Sequence, residues 1–291
     1  MKWTEWKPLK LAPKFNRVSL AETLDGGQTF RWVQDPLDIW TGQWSDVIVR
    51  IQFSDEGRLT WSAPSALEAG DVEDRIRIYF GADVDWDSLI DHLPWRSDPH
   101  LKKAIKAFSG LRILRQPLEE TLLAFLCSAT KRIVQIKQMC ELLAQKIGSE
   151  IIPGVTQLPT FEEIAKSEPV ALNRCKLGFR GKYIMRSAQF LAERPGWLEE
   201  TEALPYATAK ERMMLLPGVG EKVADCVLLF GAGKIEAFPV DTWISQTLMK
   251  RYELSGWNNQ QLTDFGRLHF GSAAGLAQQF LFSWERHFGK R

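Results

Sequence analysis

"LLPGVGEKVADCVLLFGAGKIEAFPVDTWI", residues 215–244, is the stretch that decides the fold. It predicts the end of one helix, a tight turn through Gly218 and Gly220, and a second helix whose apolar residues recur with a 3.6-residue period. Glycine accepts the positive φ that such a turn needs, and it lets another backbone approach closely. Lys222 falls in the first turn of the second helix, and Asp241 follows 19 residues later.

The turn has the form of a phosphate-binding site. The amides of Gly218, Val219 and Gly220, which open the second helix, can face a phosphate because the two glycines carry no Cβ. A packing corner without a ligand is the alternative, and a lone Gly-x-Gly would not exclude it. The longer pattern, with Leu-Pro before the glycines and apolar spacing on both sides, is more specific and resembles a helix-hairpin-helix, here at 208–231, of the kind that contacts the DNA backbone.

Lys222 and Asp241 each allow an ordinary and a reactive interpretation. Lys222 could pair with Asp225 one helical turn later, yet the positive end of the helix dipole is an unfavourable place for an ammonium. Only a neutral amine attacks carbon, so such a position suits a nucleophile. Asp241 follows Pro239 and is predicted to cap the next helix. A carboxylate held by helix amides is expected to stay ionised, which suits it to stabilise a sugar cation or to assist deprotonation of the nearby amine.

The composition argues against several classes of protein. The chain has 291 residues, 45% apolar and 25% charged, with a net charge of +1, so any site for a polyanion must be local. The four histidines show no metal-ligand spacing, and no Cys-x-x-Cys pair occurs among the cysteines, which are Cys127, Cys140, Cys175 and Cys226. The sequence therefore predicts neither a disulfide framework nor a metal centre.

The sequence also predicts no membrane association. Its first residues, "MKWTEWKPLKLAPKF", carry Trp, Glu and Pro where a secretory signal needs an apolar core, and no long apolar run occurs. We therefore expect an intracellular protein, in the cytoplasm or nucleoid of a bacterium or in the nucleus of a eukaryote.

The chain is expected to have two parts, a β-rich domain at 1–97 and a helical region at 98–291. "VIVRIQF" (47–53), "SDEG" and "RLTWSA" (58–63) predict a hairpin, and "FRW" (30–32) and "IWTGQW" (39–44) predict two further strands. Helical periodicity dominates later, as in "ETLLAFLCSATKRIVQIKQMCELLAQKIG" (120–148), where Ser128–Lys131 interrupts the pattern. An antiparallel sheet packed on a helical body is the simplest architecture.

A hairpin that ends in lysine and is followed about twenty residues later by Pro-Val-Asp resembles the helix-hairpin-helix/Gly-Pro-Asp superfamily of DNA glycosylases. The "KVADC" context resembles its 8-oxoguanine branch. Further matches occur in order along the chain: "GGQTFRW" (26–32), "YFGADVDW" (79–86), "GLRILRQP" (110–117), "FLCSAT" (125–130), "LGFRGKYI" (177–184) and "AGLAQQFLF" (274–282). The resemblance implies an α+β fold, with a TATA-binding-protein-like antiparallel sheet packed on a larger all-helical glycosylase region.

The resemblance implies a bifunctional DNA N-glycosylase and abasic-site lyase of base-excision repair, acting on double-stranded DNA that contains oxidised guanine. Lys222 matches the family's catalytic lysine, which attacks C1′ of the damaged nucleotide, expels the base and forms a Schiff base that allows β-elimination. Asp241 matches the aspartate that the superfamily needs for the first step.

Four residues match the family's base-recognition positions: Gly27, Cys226, Gln278 and Phe282. The resemblance implies that the carbonyl of Gly27 and the amide of Gln278 bind the flipped base, with the other two as stacking walls. 8-Oxoguanine carries a donor at N7 where guanine has an acceptor, so one carbonyl there rejects guanine. Without the resemblance, a turn glycine, a buried thiol, a solvated amide and a core aromatic would explain these residues equally well.

Contacts with the duplex around the lesion are expected at Thr130, Lys131, Arg132 and Arg180. Cytosine-preferring family members carry an Asn run and then an arginine after "CSS", whereas this chain has "CSATKR" (127–132) and Gln135 in the arginine's place. Arg180 matches the second cytosine-contacting arginine. A duplex-opening loop is thus predicted at 130–132, and the preference for the opposite base is left open.

Two other functions stay open from the residues. A glycosylase of the same fold for another damaged base would use Asp241 alone, although such alkylpurine relatives lack a lysine at the Lys222 position. Endonuclease III-type relatives have the lysine but usually a four-cysteine cluster. A non-catalytic DNA-binding protein would use the hairpin only as a phosphate clamp. The resemblance implies no required cofactor or metal, a structural monovalent cation at the hairpin turn, and a monomer.

Overall fold

The computed structural model describes residues 1–67 and 69–289, so Glu68 and the end of the predicted helical region, Lys290 and Arg291, lie outside it. Five antiparallel strands form a sheet in the order β1-β5-β4-β3-β2. These strands are β1 (Lys7–Pro8), β2 (Trp32–Gln34), β3 (Trp40–Trp44), β4 (Val47–Phe53) and β5 (Leu59–Ser62), and a small second sheet pairs β6 (Glu150–Ile152) with β7 (Val155–Thr156).

Helices make up most of the remaining described chain. The first group is α1 (Arg17–Asp25), α2 (Ala69–Tyr79), α3 (Trp86–His92), α4 (Pro99–Ala107), α5 (Leu118–Leu126), α6 (Ile133–Ile147), α7 (Phe161–Lys166) and α8 (Pro169–Asn173). The second group is α9 (Arg180–Ala192), α10 (Trp197–Ala203), α11 (Tyr206–Met213), α12 (Glu221–Phe230), α13 (Thr242–Arg251), α14 (Asn259–Phe270) and α15 (Ala274–Phe288). The expected α+β class is confirmed, and so is the break between α5 and α6.

The strand predicted at 30–32 begins only at Trp32. Phe30 instead packs edge-on against Phe125 of α5, with ring centroids 5.4 Å apart. Arg31 donates a hydrogen bond of 2.9 Å to the carbonyl of Thr156 in β7. Both side chains therefore contact residues outside the five-stranded sheet. Local periodicity in the sequence does not reveal such contacts.

Two apolar cores divide the molecule. The register pairs Trp40 with Ile51 and Ile51 with Trp61, so one face of the sheet presents large side chains. That face packs with Leu24 of α1 and Ile76 of α2 into the first core. The second core lies among the helices.

The helical core begins before the expected domain boundary at residue 97. Trp86 and Leu93 already belong to it, as does Phe30 from the sheet part. Gln28 joins the two parts further, because its side chain donates to the carbonyl of Arg112 and accepts from the amide of Leu114, both at 2.9 Å. The segment around Gly27 is thereby inserted into the helical region.

Within residues 1–67 and 69–289, none of the helices combines the length and apolar character needed to cross a bilayer.

Candidate active site

The predicted hairpin is formed by α11, a turn through Leu216–Gly220, and α12. Gly218 has φ +86°, and a Cβ there would lie 2.8 Å from Cβ of Tyr183. Backbone conformation and packing both require glycine at this position. Gly220 has φ −97°, and nothing lies within 4 Å of where its Cβ would be. Glycine at 220 therefore leaves the N-terminus of α12 open to a ligand, while Val219 between them is buried.

Helix α12 is fixed to α11 through Asp225. Its carboxylate accepts hydrogen bonds from Tyr206 Oη at 2.5 Å and from Lys210 Nζ at 3.0 Å, and only 1% of the residue is exposed. The ordinary interpretation, in which Asp225 pairs with Lys222, is therefore wrong. Asp225 faces α11 because its buried charge needs both partners there.

Lys222 is half-buried near the start of α12, as predicted. Its Nζ lies 5.1 Å from the centroid of the Phe125 ring, a distance typical of a cation–π contact. Cys226 follows one helical turn later and is buried. Burial raises the pKa of the Cys226 thiol to about 11, so the neutral thiol is the stable form beside the lysine.

Asp241 is the N-cap of α13, and its Oδ1 accepts a hydrogen bond of 2.8 Å from the amide of Ile244. The predicted cap is confirmed, but its expected electrostatic effect is not. Burial raises the pKa of the Asp241 carboxyl, although the Ile244 amide and the Lys222 charge both act to lower it. The prediction from the sequence took account of the cap alone. Loss of solvent around the buried carboxyl changes its pKa in the opposite direction and is the larger effect.

One small cavity of about 50 Å³ brings together every residue predicted to act on the sugar or the base, namely Gly27, Lys222, Cys226, Asp241, Gln278 and Phe282. The cavity is lined by the α12 and α15 helices, by the N-cap of α13 and by the turn after α1. Residues from distant parts of the chain therefore converge on one place.

The cavity presents polar groups that are ready for a partner. Gln278 is 5% exposed, and its Nε2 donates to the carbonyl of Pro239 at 3.2 Å. Among the described residues its buried Oε1 has no hydrogen-bond partner. Gly27 has φ +95° and lies opposite Ile133, whose Cδ1 would be 3.3 Å from a Cβ at this position. An unpaired buried acceptor is costly, which favours a ligand that supplies a donor.

Sequence reasoning missed Gln279 and Phe125. Gln279 also lines the cavity, and its buried Nε2 is without a hydrogen-bond partner among the described residues. The signal was available, since two consecutive glutamines lie in the otherwise apolar "AGLAQQFLF". Phe125 stacks on Phe230 with centroids 5.7 Å apart and forms a wall beside Lys222. Nothing in the local sequence distinguishes Phe125 from an ordinary core residue.

A wider groove opens beside the cavity. It shares with the cavity Gly27, Phe125, Lys222, Asp241 and Phe282. Thr130, Lys131 and Arg132, in the predicted duplex-opening loop, line the groove. Thr130 adopts the left-handed conformation with φ +55° and is exposed. The loop therefore projects beside the entrance to the cavity.

Arg180 holds this loop from behind. Its guanidinium donates to Thr130 Oγ1 at 3.0 Å, to the carbonyl of Leu177 at 3.1 Å and to the carbonyl of Ala129. Only 3% of the residue is exposed, and the guanidinium lies over the ring of Phe179. The structure thus places Arg180 behind the loop, and its contact with the opposite strand stays a prediction.

Three comparisons with known proteins agree with this geometry. Residues 10–122 match the model of the 8-oxoguanine DNA glycosylase N-terminal domain. The N-glycosylase/DNA lyase of Saccharomyces cerevisiae is 30% identical over 86% of this chain and 72% of its own length. The Clostridium acetobutylicum 8-oxoguanine glycosylase/lyase, solved with DNA that has cytosine opposite 8-oxoguanine, superposes with a TM-score of 0.84 at 30% identity, over 92% of this chain and 91% of that one. The chain belongs to the 8-oxoguanine DNA glycosylase family.

The N-glycosylase/DNA lyase OGG1 of Arabidopsis thaliana extends the similarity to nearly the whole chain, with 27% identity over 96% of it and 80% of the relative. In the present chain, Lys222 near the start of α12 and Asp241 at the N-cap of α13 line one cavity. Within the described ranges, no group of three His, Cys, Asp or Glu side chains is arranged to hold a metal ion.

Proposed function

We propose that this protein excises 8-oxoguanine from duplex DNA in base-excision repair and then cleaves the abasic site as a lyase. The observation that carries the proposal is the cavity, which Lys222 and Asp241 line together with Gly27 and Gln278. The Oε1 of Gln278 is buried and has no hydrogen-bond partner within residues 1–67 and 69–289. A nucleophile and a base-reading amide within one pocket are what a bifunctional glycosylase needs. The family relatives named N-glycosylase/DNA lyase support the same reaction.

In the proposed reaction, the neutral amine of Lys222 attacks C1′ of the everted nucleotide, and the bond from C1′ to the base breaks. The base leaves with the bonding electron pair and takes up a proton. The carboxylate of Asp241 stabilises the positive charge that develops on the sugar. Loss of the amine proton and opening of the sugar ring then give a Schiff base, from which a C2′ proton and the 3′ phosphate are eliminated.

We propose that the Gly27 carbonyl accepts the N7 proton that distinguishes 8-oxoguanine from guanine. Gln278 would bind the opposite edge of the base, and Cys226 and Phe282 would enclose its faces. The unpaired Nε2 of Gln279 supplies one further donor at the same cavity. Guanine would place an acceptor against a carbonyl, an arrangement that costs binding free energy because neither group finds a donor.

The amides of Gly218 and Gly220 would bind a phosphate, whereas the amide of Val219 already donates to the carbonyl of Leu216 at 3.1 Å. Thr130, Lys131, Arg132 and Arg180 would open and contact the duplex. We propose that the enzyme acts inside the cell as a monomer, since one molecule suffices for one everted base. It would need no cofactor, and a monovalent cation could bind the carbonyls of the hairpin turn. The opposite base is best assigned with a panel of duplexes that pair 8-oxoguanine with each of the four bases.

The test of the Schiff base is borohydride trapping. The unaltered protein, incubated with a duplex that carries 8-oxoguanine opposite cytosine, should form a stable covalent complex when borohydride is added. Lys222→Gln should abolish the complex, because the amine is gone. Lys250→Gln, which removes an exposed lysine from α13, is the matched control and should trap normally. Trapping that persists in Lys222→Gln would refute the assignment, and salt-sensitive binding without any excision would indicate a non-catalytic DNA-binding protein.

A further inference from the structure

A buried ion pair lies directly behind the turn that carries Gly27. Glu22, in α1, is 1% exposed, and its Oε2 accepts a hydrogen bond from the guanidinium of Arg286 in α15. His287 Nε2 lies 2.8 Å from the same oxygen. Residues more than 260 positions apart in the chain thus meet at this point. A carboxylate so deeply buried depends on its cationic partner, because an unpaired buried charge is strongly destabilising.

Arg286 connects the pair to both sides of the cavity. Its Nη1 donates to the carbonyl of Asp25 at 3.3 Å, and Asp25 is the last residue of α1 before the turn. On α15, Arg286 follows Phe282 by one helical turn, and Phe282 lines the cavity. Arg286 also lines the groove that Lys222 shares. A single side chain therefore links the turn of Gly27 to the wall that would enclose the base.

The carboxylate of Glu22 also packs under the turn itself. Its Oε1 lies 2.7 Å from where a Cβ on Gly26 would be, so a larger residue at 26 would collide with it. From the other side, Lys137 of α6 forms an ion pair with Asp25 and donates to the carbonyl of Trp32 at 2.7 Å. The turn is thus held by charged groups from α15 and from α6.

We propose that Glu22 and Arg286 are positioning residues that set the distance between the Gly27 carbonyl and the Gln278–Phe282 wall, and thereby the discrimination of 8-oxoguanine from guanine. The inference rests on the proposed function. Neither side chain lines the cavity itself. Arg286, which lines the adjoining groove, reaches the turn through the carbonyl of Asp25. A carbonyl that reads one proton on a base must be held accurately, because a displacement of about 1 Å can cost a hundredfold in rate.

The two half-reactions separate this role from a general loss of structure. Excision of the base needs the turn, the wall and Lys222, whereas β-elimination at a preformed abasic site needs Lys222 and no base pocket. Loss of the ion pair between Glu22 and Arg286 should therefore slow excision of the base and leave the rate of strand cleavage at the abasic site nearly unchanged. Misfolding or a displaced Lys222 would reduce both activities together.

The experiment measures three single-turnover rates for Glu22→Gln, Arg286→Gln and the double variant: excision of 8-oxoguanine opposite cytosine, excision of guanine opposite cytosine, and cleavage of a preformed abasic duplex. We expect each single variant to lower the ratio of 8-oxoguanine to guanine excision about tenfold, with abasic-site cleavage within about twofold of the unaltered protein. The double variant should be no worse than the singles, because both remove one interaction. Arg286→Lys, which keeps a cation beside Glu22, should recover part of the ratio.

Arg251→Gln is the matched control. It breaks the ion pair between Arg251 and Glu285, which lies on the same helix one residue from Arg286 and does not contact the turn. This variant should keep the unaltered ratio. An unchanged ratio in Glu22→Gln and Arg286→Gln would overturn the inference while leaving the proposed function intact. An equal loss of excision and abasic-site cleavage would also overturn it. Absence of 8-oxoguanine excision by the unaltered protein would instead overturn the proposed function and the inference with it.

Discussion

Asp241 performs a structural task and a proposed chemical task with one carboxylate. One oxygen accepts from the amide of Ile244 and begins α13, while the group lines the cavity with Lys222. The pKa of Asp241 is raised because burial destabilises the charged carboxylate relative to the neutral acid, and the helix amides and the charge of Lys222 limit that effect. The carboxylate is therefore most strongly stabilised in its charged form where a cation is present, as it would be on the sugar of an everted nucleotide.

Asp241→Asn should separate the two tasks. Asparagine caps helices as well as aspartate does, so we expect the free energy of unfolding to stay within about 1 kcal/mol of the unaltered value. Excision of 8-oxoguanine should fall at least about a hundredfold, because the negative charge is lost. Unfolding in urea and single-turnover excision are the two measurements. Asp85→Asn, which changes the N-cap of α3, is the matched control and should excise normally; normal excision by Asp241→Asn would contradict a catalytic role.

At single positions, the sequence predicts what local chemistry determines. The cap at Asp241 and the place of Lys222 in the first turn of α12 follow from residue type and helical spacing. The partners of Asp225 do not, because Tyr206 and Lys210 belong to another helix. The same holds for the rise in the pKa of Asp241, which depends on burial by the whole fold.

At the scale of the element, the hairpin contains two glycines with different requirements. Gly218 has a left-handed backbone conformation and packs closely against Tyr183, whereas neither condition applies to Gly220. The fold itself therefore requires glycine only at position 218. The second glycine leaves the amides at the start of α12 accessible.

Gly218→Ala and Gly220→Ala should therefore behave differently. We expect Gly218→Ala to lower the free energy of unfolding by about 2 kcal/mol, since its Cβ meets Tyr183 and its φ is unfavourable. Gly220→Ala should change it by less than about 1 kcal/mol and should weaken binding to duplex DNA, because a methyl group would stand before the phosphate site. Urea unfolding and a DNA-binding titration test the pair. Equal stability losses would contradict the assignment of two requirements.

Helices and strands with a strong internal pattern were predicted almost to their ends. Strand β4 coincides with the predicted "VIVRIQF", and α5 and α6 flank the predicted break. The strand predicted at 30–32 failed at Phe30, because Phe125 on a distant helix competes for that ring. The end of a helix or strand is therefore predicted wrongly where a residue that is distant in the sequence offers more contact than the neighbouring strand.

At the scale of the whole molecule, buried polar contacts join the sheet to the helices. Glu120 on α5 accepts a hydrogen bond of 2.6 Å from the amide of Ser45, in the turn between β3 and β4. Burial raises the pKa of Glu120 to about 7. A carboxyl whose pKa is higher in the folded state binds more protons when folded, so its contribution favours folding at low pH and is lost as the pH rises.

Glu120→Gln should remove this pH dependence. For the unaltered protein, the contribution of Glu120 is fully present below pH 4.5, its ordinary pKa, and is lost as the pH rises through about 7. At pH 8, Glu120→Gln should therefore be more stable than the unaltered protein by about 3 kcal/mol, and at pH 5 the difference should be below about 1 kcal/mol. Urea unfolding between pH 5 and 8 measures it. Glu162→Gln, at an exposed residue, is the control and should keep the unaltered pH profile; a parallel profile for Glu120→Gln would contradict the prediction.

The overall architecture was predictable because alternation in the first part and helical periodicity in the second are strong signals. The assembly of the cavity was not predictable from spacing. Glu22 and Arg286 lie at opposite ends of the chain, and each looks like a surface charge until the fold brings them together. Family resemblance supplied the cavity residues, and only the structure supplied the groups that hold them in place.

The contact of Asp225 with Tyr206 and Lys210 has a consequence for the timing of the proposed reaction. These bonds fix α12 to α11, so the helix that carries Lys222 is held by contacts within the protein itself. A protein that searches long stretches of undamaged DNA can spend only a short time at each base. With the helix that carries its proposed nucleophile held in place, we expect the delay at each base to be set by the time that the nucleotide takes to leave the helix stack.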